Sequence, residues 1–290
     1  MDIIKVIILG IVEGITEFLP ISSTGHLILV NEFVNLSPQE FANAFNVIIQ
    51  LGAILSVVVL YFEKLNPFSL NKIQRKTDIS EYSEKGFTDK VKFRFHNAHL
   101  GTVRLWIKVV IAFLPAAVLG FLFDDLIDKY LFNPLNVAIA LIAWGVVIIF
   151  IEKRPAKEVT SPTVNKITAK QALLIGFFQC FAMIPGTSRS AATIIGAMLI
   201  GTSRTAAAEF SFFLAIPTML GATTLKIIKM GLAFTSAQWM YILLGSIVSY
   251  VVARIVIVKF MGYIKNNNFT VFGYYRIVLG IVSILYLTLI

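Results

Sequence analysis

The chain of 290 residues is 57% hydrophobic and only 14% charged, with a mean hydropathy of +0.82. A soluble globular chain carries roughly 25% charged residues, so that class is excluded. The net charge of +9 requires no nucleic-acid partner, because membrane proteins collect Lys and Arg in cytoplasmic loops, and the single Cys180 excludes an intramolecular disulfide framework.

What remains is an all-α polytopic membrane protein, one compact bundle or two fused halves. The first region, 2–34, is apolar but broken: Ile3–Val12 and Ile21–Val34 flank the polar stretch EGITEFLPISSTGH. It lacks a secretory signature, since Asp2 precedes Lys5, Glu13 and Glu17 interrupt the apolar run, and no small-residue cleavage site follows. A full span is predicted over 41–62. The loop 63–101 is polar and basic; the spacing of its HNAH would let His96 and His99 share a helix face, without the further ligands a zinc site needs. Spans follow at 102–123 and 135–151, joined by an acidic connection containing Asp124, Asp125 and Asp128. After a second basic loop comes another broken region, 168–200, in which Ala169–Ile184 and Ala191–Ile200 flank PGTSRS. Spans at 206–228, 239–259 and 273–290 complete the chain.

Apolar pieces of about 10–14 residues are too short to cross a bilayer and read as re-entrant segments, and Pro20 and Pro185 punctuate both regions. The basic residues of 63–101 (Arg75, Lys76 and Lys85 among them), those around 153–170 (Lys157 among them), and Lys259 with Lys265 place three loops in the cytoplasm. Both termini then face outside, although Lys226 and Lys229 near the outer face run against the rule. This plan makes 1–151 and 152–290 an inverted-topology repeat, each half a re-entrant hairpin (2–34; 168–200) plus three spans. Laying PISSTGHLIL over PGTSRSAATI puts Pro20 on Pro185 and Ser23 on Ser188.

Glu13 and Glu17 lie one helical turn apart. Ionised at membrane depth they cost roughly 2.5–3.5 kcal/mol each, a penalty that a divalent cation or a nearby arginine relieves. Ser22, Ser23 and Thr24 stand at a helix start suited to phosphate, and His26, three residues beyond Ser23, is near enough to activate its hydroxyl. In the second region Thr187, Ser188 and Ser190 surround Arg189, whose fork of donors matches phosphate oxygens. Together the two tips suit a phosphorylated lipid. For hydrolysis, a metal held by the glutamates would offset phosphate charge, Arg189 would stabilise the charge on the equatorial oxygens, and Ser23 or water would attack in line.

EGITEFLPISSTGH (13–26), FNVIIQLGAIL (45–55), PGTSRS with AAT (185–193) and SRTAAAEFSFFLAIP (203–217) occur in one order. In these pieces the chain resembles the undecaprenyl-diphosphatase family, bacterial membrane enzymes linked to bacitracin resistance. The resemblance implies release of inorganic phosphate from undecaprenyl diphosphate, giving the monophosphate carrier for cell-wall precursors. It further implies a divalent cation (Mg²⁺ or Ca²⁺) and a site on the outer face of the cytoplasmic membrane. It assigns Glu13 and Glu17 as the acidic pair, Ser22, Ser23, Thr24 and His26 as the hydroxyl–imidazole set, and Ser188 and Arg189 as phosphate-binding; Gln50 and Arg204 take supporting roles. An acid-phosphatase mechanism is set aside, because no histidine follows Arg189. A transporter or flippase of a phosphorylated lipid is the alternative, since broken helices at the midplane also serve transport. Oligomeric state is left open, a homodimer included.

Overall fold

The computed structural model describes residues 2–74, 82, 86–131, 133–155, 158–230 and 234–289. Arg75, Lys76, Lys85 and Lys157 of the basic loops lie outside the described residues, as do the side chains of Asp124, Asp125, Asp128 and Lys129. The described residues are helical, apart from short turns and one isolated bridge between Ser161 and Thr202.

Among them, six helices are long and apolar enough to cross a bilayer, and they fall on the six predicted spans. The first is α3 (Gln39–Ile48) continued by α4 (Gln50–Leu60). The others are α8 (Leu100–Leu131), α9 (Pro134–Glu152), α12 (Arg204–Met230), α13 (Ser236–Tyr263) and α14 (Thr270–Leu289). Two boundaries differ from expectation. The acidic connection expected at 124–134 is helical as far as Leu131. Helix α13 begins at Ser236, where Thr235 and Gln238 close a capping box that satisfies otherwise orphaned backbone N–H groups.

Four of the shorter helices form two consecutive pairs: α1 (Asp2–Thr16) with α2 (Ser23–Val34), and α10 (Ala169–Cys180) with α11 (Arg189–Leu199), of 15, 12, 12 and 11 residues. At 1.5 Å per residue each covers roughly 17–23 Å, less than the ~30 Å hydrocarbon core. Helix α1 packs on α13, α10 on α8, α4 on α13, α12 on α8, and α9 on α14. Small residues let these backbones approach: a Cβ on Gly14 would stand 2.8 Å from the Ser249 carbonyl oxygen, and one on Gly145 2.7 Å from that of Gly273.

The main core gathers Phe18, in the turn after α1, with Phe210, Phe212 and Phe213 of α12 and Phe269. Phe18 meets Phe212 edge-on at 5.2 Å, so an aromatic layer lies beside the turn that carries Glu17. The segment after α4 holds α5 (Phe62–Leu65), α6 (Leu70–Gln74) and α7 (Phe87–His96). Its root is tied down: Lys72 donates to the carbonyls of Lys64 and Asn66 and to Thr102, and Lys64 pairs with Glu209 at 2.6 Å. His99 is hydrogen-bonded to Thr102.

Candidate active site

Two turns face each other across the bundle. In the first, α1 gives way before Pro20, and Ser22 caps α2 with its hydroxyl accepting from the Gly25 N–H at 3.2 Å. In the second, α10 ends before Pro185, and Ser188 caps α11 by accepting from the Ala191 N–H at 3.2 Å. Both serines hold a positive φ, 73° and 77°. This region disfavours a residue with a Cβ, at about 1–3 kcal/mol each, and such strain concentrates at functional sites. Gly186 needs to be glycine twice over: its φ is +93°, and a Cβ would stand 2.5 Å from the Val137 carbonyl oxygen. The capping roles correct the expected register. Ser188 corresponds to Ser22, not to Ser23, so Ser23 and Arg189 are the equivalent first residues of α2 and α11.

Those two residues meet on Glu17. Ser23 Oγ donates to Glu17 Oε2 at 2.6 Å, and Arg189 Nη2 donates to Glu17 Oε1 at 3.1 Å. Glu17 and Arg189 are buried, so this ion pair crosses between the turns shielded from solvent. Arg189 Nη1 donates to the carbonyl and hydroxyl of Ser211 at 2.7 and 3.1 Å, and Thr193 braces the same hydroxyl at 2.7 Å. Ser190 donates to the Leu19 carbonyl at 2.8 Å, a second tie between the turns, and Ser188 reaches Ser190 at 2.9 Å. The face of Phe18 lies 5.9 Å from the Arg189 guanidinium carbon, a cation–π contact that keeps the fork in place.

Among the described residues, several polar atoms in this region have no hydrogen-bond partner: both carboxylate oxygens of Glu13, Thr187 Oγ1 and Arg189 Nε. The Glu17 N–H donates to the Glu13 carbonyl, so the two acidic side chains stand one turn apart, as the sequence implied. Among the described residues, no group of three or more His, Cys, Asp or Glu converges. A cation here would have the Glu13–Glu17 pair from the protein. That donor set fits a hard divalent ion, which takes one or two carboxylates and leaves its other positions to water and substrate oxygens. Thr24 lies half-buried at the same turn.

His26 differs from expectation. Its imidazole is not bonded to Ser23; Nδ1 lies 2.7 Å from the Ser22 carbonyl oxygen and Nε2 2.7 Å from the Tyr275 hydroxyl. A carbonyl only accepts, so Nδ1 carries the proton and the neutral ring's Nε2 accepts from Tyr275. The rings of His26 and Tyr275 are stacked, 5.6 Å apart. Of the supporting residues, Gln50 opens α4 half-buried, without a hydrogen bond to the cluster. Arg204 pairs with Glu152 at the end of α9, its Nε 3.0 Å from Oε1; it braces α9 against α12.

Three residues of the site escaped the sequence reading: Ser211, Tyr275 and Arg276. Ser211 carried no signal of its own in an apolar stretch. Arg276 did, as a lone cation in the span 273–290, where ionisable groups are functional by default. It is fully buried, and its guanidinium donates to the carbonyls of Pro20 and Gly186 at 3.1 and 2.7 Å.

The sequence model described as "Bacitracin resistance protein BacA" matches residues 6–282. The chain is 52% identical over 288 residues to "Undecaprenyl-diphosphatase 1" of Clostridioides difficile (strain 630), covering 99% of this chain and 96% of the relative. It is 54% identical over 289 residues to "Undecaprenyl-diphosphatase" of Fusobacterium nucleatum subsp. nucleatum, covering 97% and 99%, and 50% identical over 288 residues to that of Enterococcus faecalis, covering 98% and 97%. A match that runs through both short-helix pairs and all six long helices makes this multi-pass membrane protein a member of the bacitracin resistance protein BacA family.

Proposed function

We propose that the protein is an undecaprenyl-diphosphate phosphatase, which hydrolyses the lipid diphosphate to undecaprenyl phosphate and inorganic phosphate and so recycles the carrier for cell-wall synthesis. The single observation that carries the reading is the Ser23–Glu17–Arg189 relay, a hydroxyl, a carboxylate and a guanidinium joined by hydrogen bonds between two helix starts. A lipid transporter needs cationic and polar contacts for the headgroup but no hydroxyl aimed at a buried carboxylate.

In the proposed reaction the diphosphate sits against the starts of α2 and α11, where backbone N–H groups and the helix dipoles favour anions. Thr187 and the unpartnered Nε of Arg189 offer donors to the terminal phosphate, with Ser22 and Thr24 on the opposite turn, while the hydroxyl hydrogens of Ser188 and Ser190 are already taken up by the Ser188–Ser190–Leu19 chain that ties the turns. Ser23 Oγ attacks the terminal phosphorus while its proton passes to Glu17 Oε2. The Oγ–P bond forms, the bond from phosphorus to the bridging oxygen breaks, and the electron pair leaves with undecaprenyl phosphate. Water then hydrolyses the phosphoserine, and inorganic phosphate is released. His26, held by Ser22 and Tyr275, sets the start of α2 in this scheme. A divalent cation (Mg²⁺ or Ca²⁺) on Glu13 and Glu17 would supply neutralising charge to phosphate oxygens.

The architecture we infer is an inverted repeat of 1–151 and 152–290, with α1/α2 and α10/α11 as re-entrant hairpins whose tips meet within the bilayer. Support comes from packing that survives exchange of the halves: α1 on α13 mirrors α10 on α8, and α4 on α13 mirrors α12 on α8. The site would open to the outer face of the bacterial cytoplasmic membrane. The test is phosphate release in detergent from a panel of prenyl mono- and diphosphates, with and without Mg²⁺ or Ca²⁺. Detergent leaves no two sides to transport between, so release from the diphosphates supports the reading. No release from folded protein supplied with cation would refute it in favour of transport.

A further inference from the structure

We infer that Arg276 is a positioning residue, a clasp that fixes one catalytic turn against the other; the inference rests on the proposed phosphatase reading. Arg276 sits in α14, belongs to neither turn, and has no exposed surface. Its Nη1 donates to the Pro20 carbonyl at 3.1 Å and its Nη2 to the Gly186 carbonyl at 2.7 Å. Pro20 stands two residues before the capping Ser22, and Gly186 two residues before the capping Ser188. One guanidinium therefore holds the equivalent carbonyl of each turn. The two arms of its fork are rigidly spaced, so the spacing of the turns is set by the geometry of a single planar group.

The position is costly unless it performs a task. With no counterion among the described residues, the buried Arg276 forfeits hydration that hydrogen bonds only partly return. Its remaining contacts, to the carbonyls of Leu141 and Ala140 in α9 at 3.4 and 3.5 Å, are long. They place it at the seam where α9 and α14 come together through Gly145 and Gly273. The turn carbonyls are its short bonds. What the clasp aligns is the Glu17–Arg189 contact, whose partners are 172 residues apart in sequence and ride on different turns. Being fully buried, Arg276 is placed to act through that alignment and not by contact with substrate.

The test compares wild type with Arg276→Lys, which keeps the charge but offers one donor point in place of a fork, and Arg276→Met, which keeps only bulk. In a Cys180→Ala background, spin labels at Ile28 and Ile184, one beside each turn, report the distance between them. Both variants are expected to remain monodisperse, to lose the single narrow distance of the parent, and to show kcat lowered about 100-fold, the size expected when reacting groups are misplaced by ~1 Å. KM should move far less, because interactions made only in the transition state are the ones lost. Wild-type kcat in Arg276→Met, or an unchanged distance distribution in both variants, would overturn the proposal. Failure of both variants to fold would overturn it too, assigning Arg276 to the stability of the fold. If the wild-type protein releases no phosphate, the phosphatase reading fails, and the distance measurement alone decides whether Arg276 clasps the turns.

Discussion

Replacing Glu17 by glutamine keeps the side chain's shape and removes its charge, which separates the two bonds that meet there. Arg189 Nη2 at 3.1 Å could still donate to the amide oxygen. The amide NH₂ would then face Ser23 Oγ, now 2.6 Å from a carboxylate oxygen, and two donors cannot share that contact until the hydroxyl turns to accept. The serine thereby loses its proton acceptor, a loss of about 10²–10⁴-fold for general-base catalysis. Arg189 would keep only neutral partners at Ser211, and breaking a buried pair costs about 3–5 kcal/mol. The retained amide acceptor places Glu17→Gln near the low end. Phosphate release and thermal unfolding in one detergent read the two effects apart. The sharper assay is a cycle with Ser23→Ala. If Glu17 acts through Ser23, the double variant is no slower than the slower single one, because residues acting as a unit are non-additive. Losses that multiply would refute the relay and point to a water activated separately, and a wild-type rate in Glu17→Gln would remove the carboxylate from the chemistry.

The remaining predictions test neighbouring parts of the site. Ser188→Ala loses a helix cap, at about 1 kcal/mol, and keeps the positive φ of 77°, whereas Ser188→Gly loses the same cap and relieves the strain. Melting should rank the glycine variant above the alanine one, and the reverse order would show that the backbone at Ser188 is unstrained. Nitrogen NMR of His26 should show the Nδ1–H tautomer, since Nδ1 faces a carbonyl. Tyr275→Phe should let that tautomer exchange and slow turnover about 5–10-fold, the worth of one orienting hydrogen bond of ~1 kcal/mol; an Nε2–H signal in the wild type would contradict the assignment. Excess chelator should abolish phosphate release, added Mg²⁺ or Ca²⁺ should restore it, and Glu13→Gln should raise the cation concentration needed. Full activity in chelator would exclude a metal on Glu13.

Hydropathy made the six long helices legible, because an apolar run of membrane length has few other folds available. The prolines and costly polar residues marked both turns. Two details were not legible, and each has a local cause. Spacing alone put His26 beside Ser23, but side chains in a helix lean toward its N-terminus. The serine at the first position of α2 therefore leans back onto Glu17, and the histidine one turn later reaches the Ser22 carbonyl. The register of the turns was shifted by one residue because the second carries Gly186 and Thr187 between proline and capping serine, where the first carries only Ile21. Proline-anchored matching cannot see that insertion; helix capping can. That an arginine relieves the buried glutamates is legible from their cost at membrane depth, but the bonds of Arg189 to Ser211 depend on how α11 and α12 pack.

The corrected register also changes what the two turns contribute. With Ser23 and Arg189 as equivalent first residues, the same backbone device presents a hydroxyl from one side and a cation from the other, and Glu17 joins them. The unpartnered groups divide in the same way. Glu13 lies on the first pair of helices and is an acceptor in its ionised form; Arg189 Nε and the Thr187 hydroxyl lie on the second and donate. A buried polar group left without a partner costs about 1–3 kcal/mol, and these three residues lie at or next to the two turns, apart from the others at Asn46, Gln179, Thr202 and Ser249. A phosphate on the donor side and a cation on the acceptor side would satisfy both sets. Their charges would also offset each other in a place where either alone is expensive. Cation and diphosphate should therefore bind with positive coupling, each tightening the other's affinity by the same factor. Titrations of the substrate-trapping Ser23→Ala variant with a prenyl diphosphate, with and without Mg²⁺, measure that factor directly, and a factor of one would separate the cation from the phosphate site.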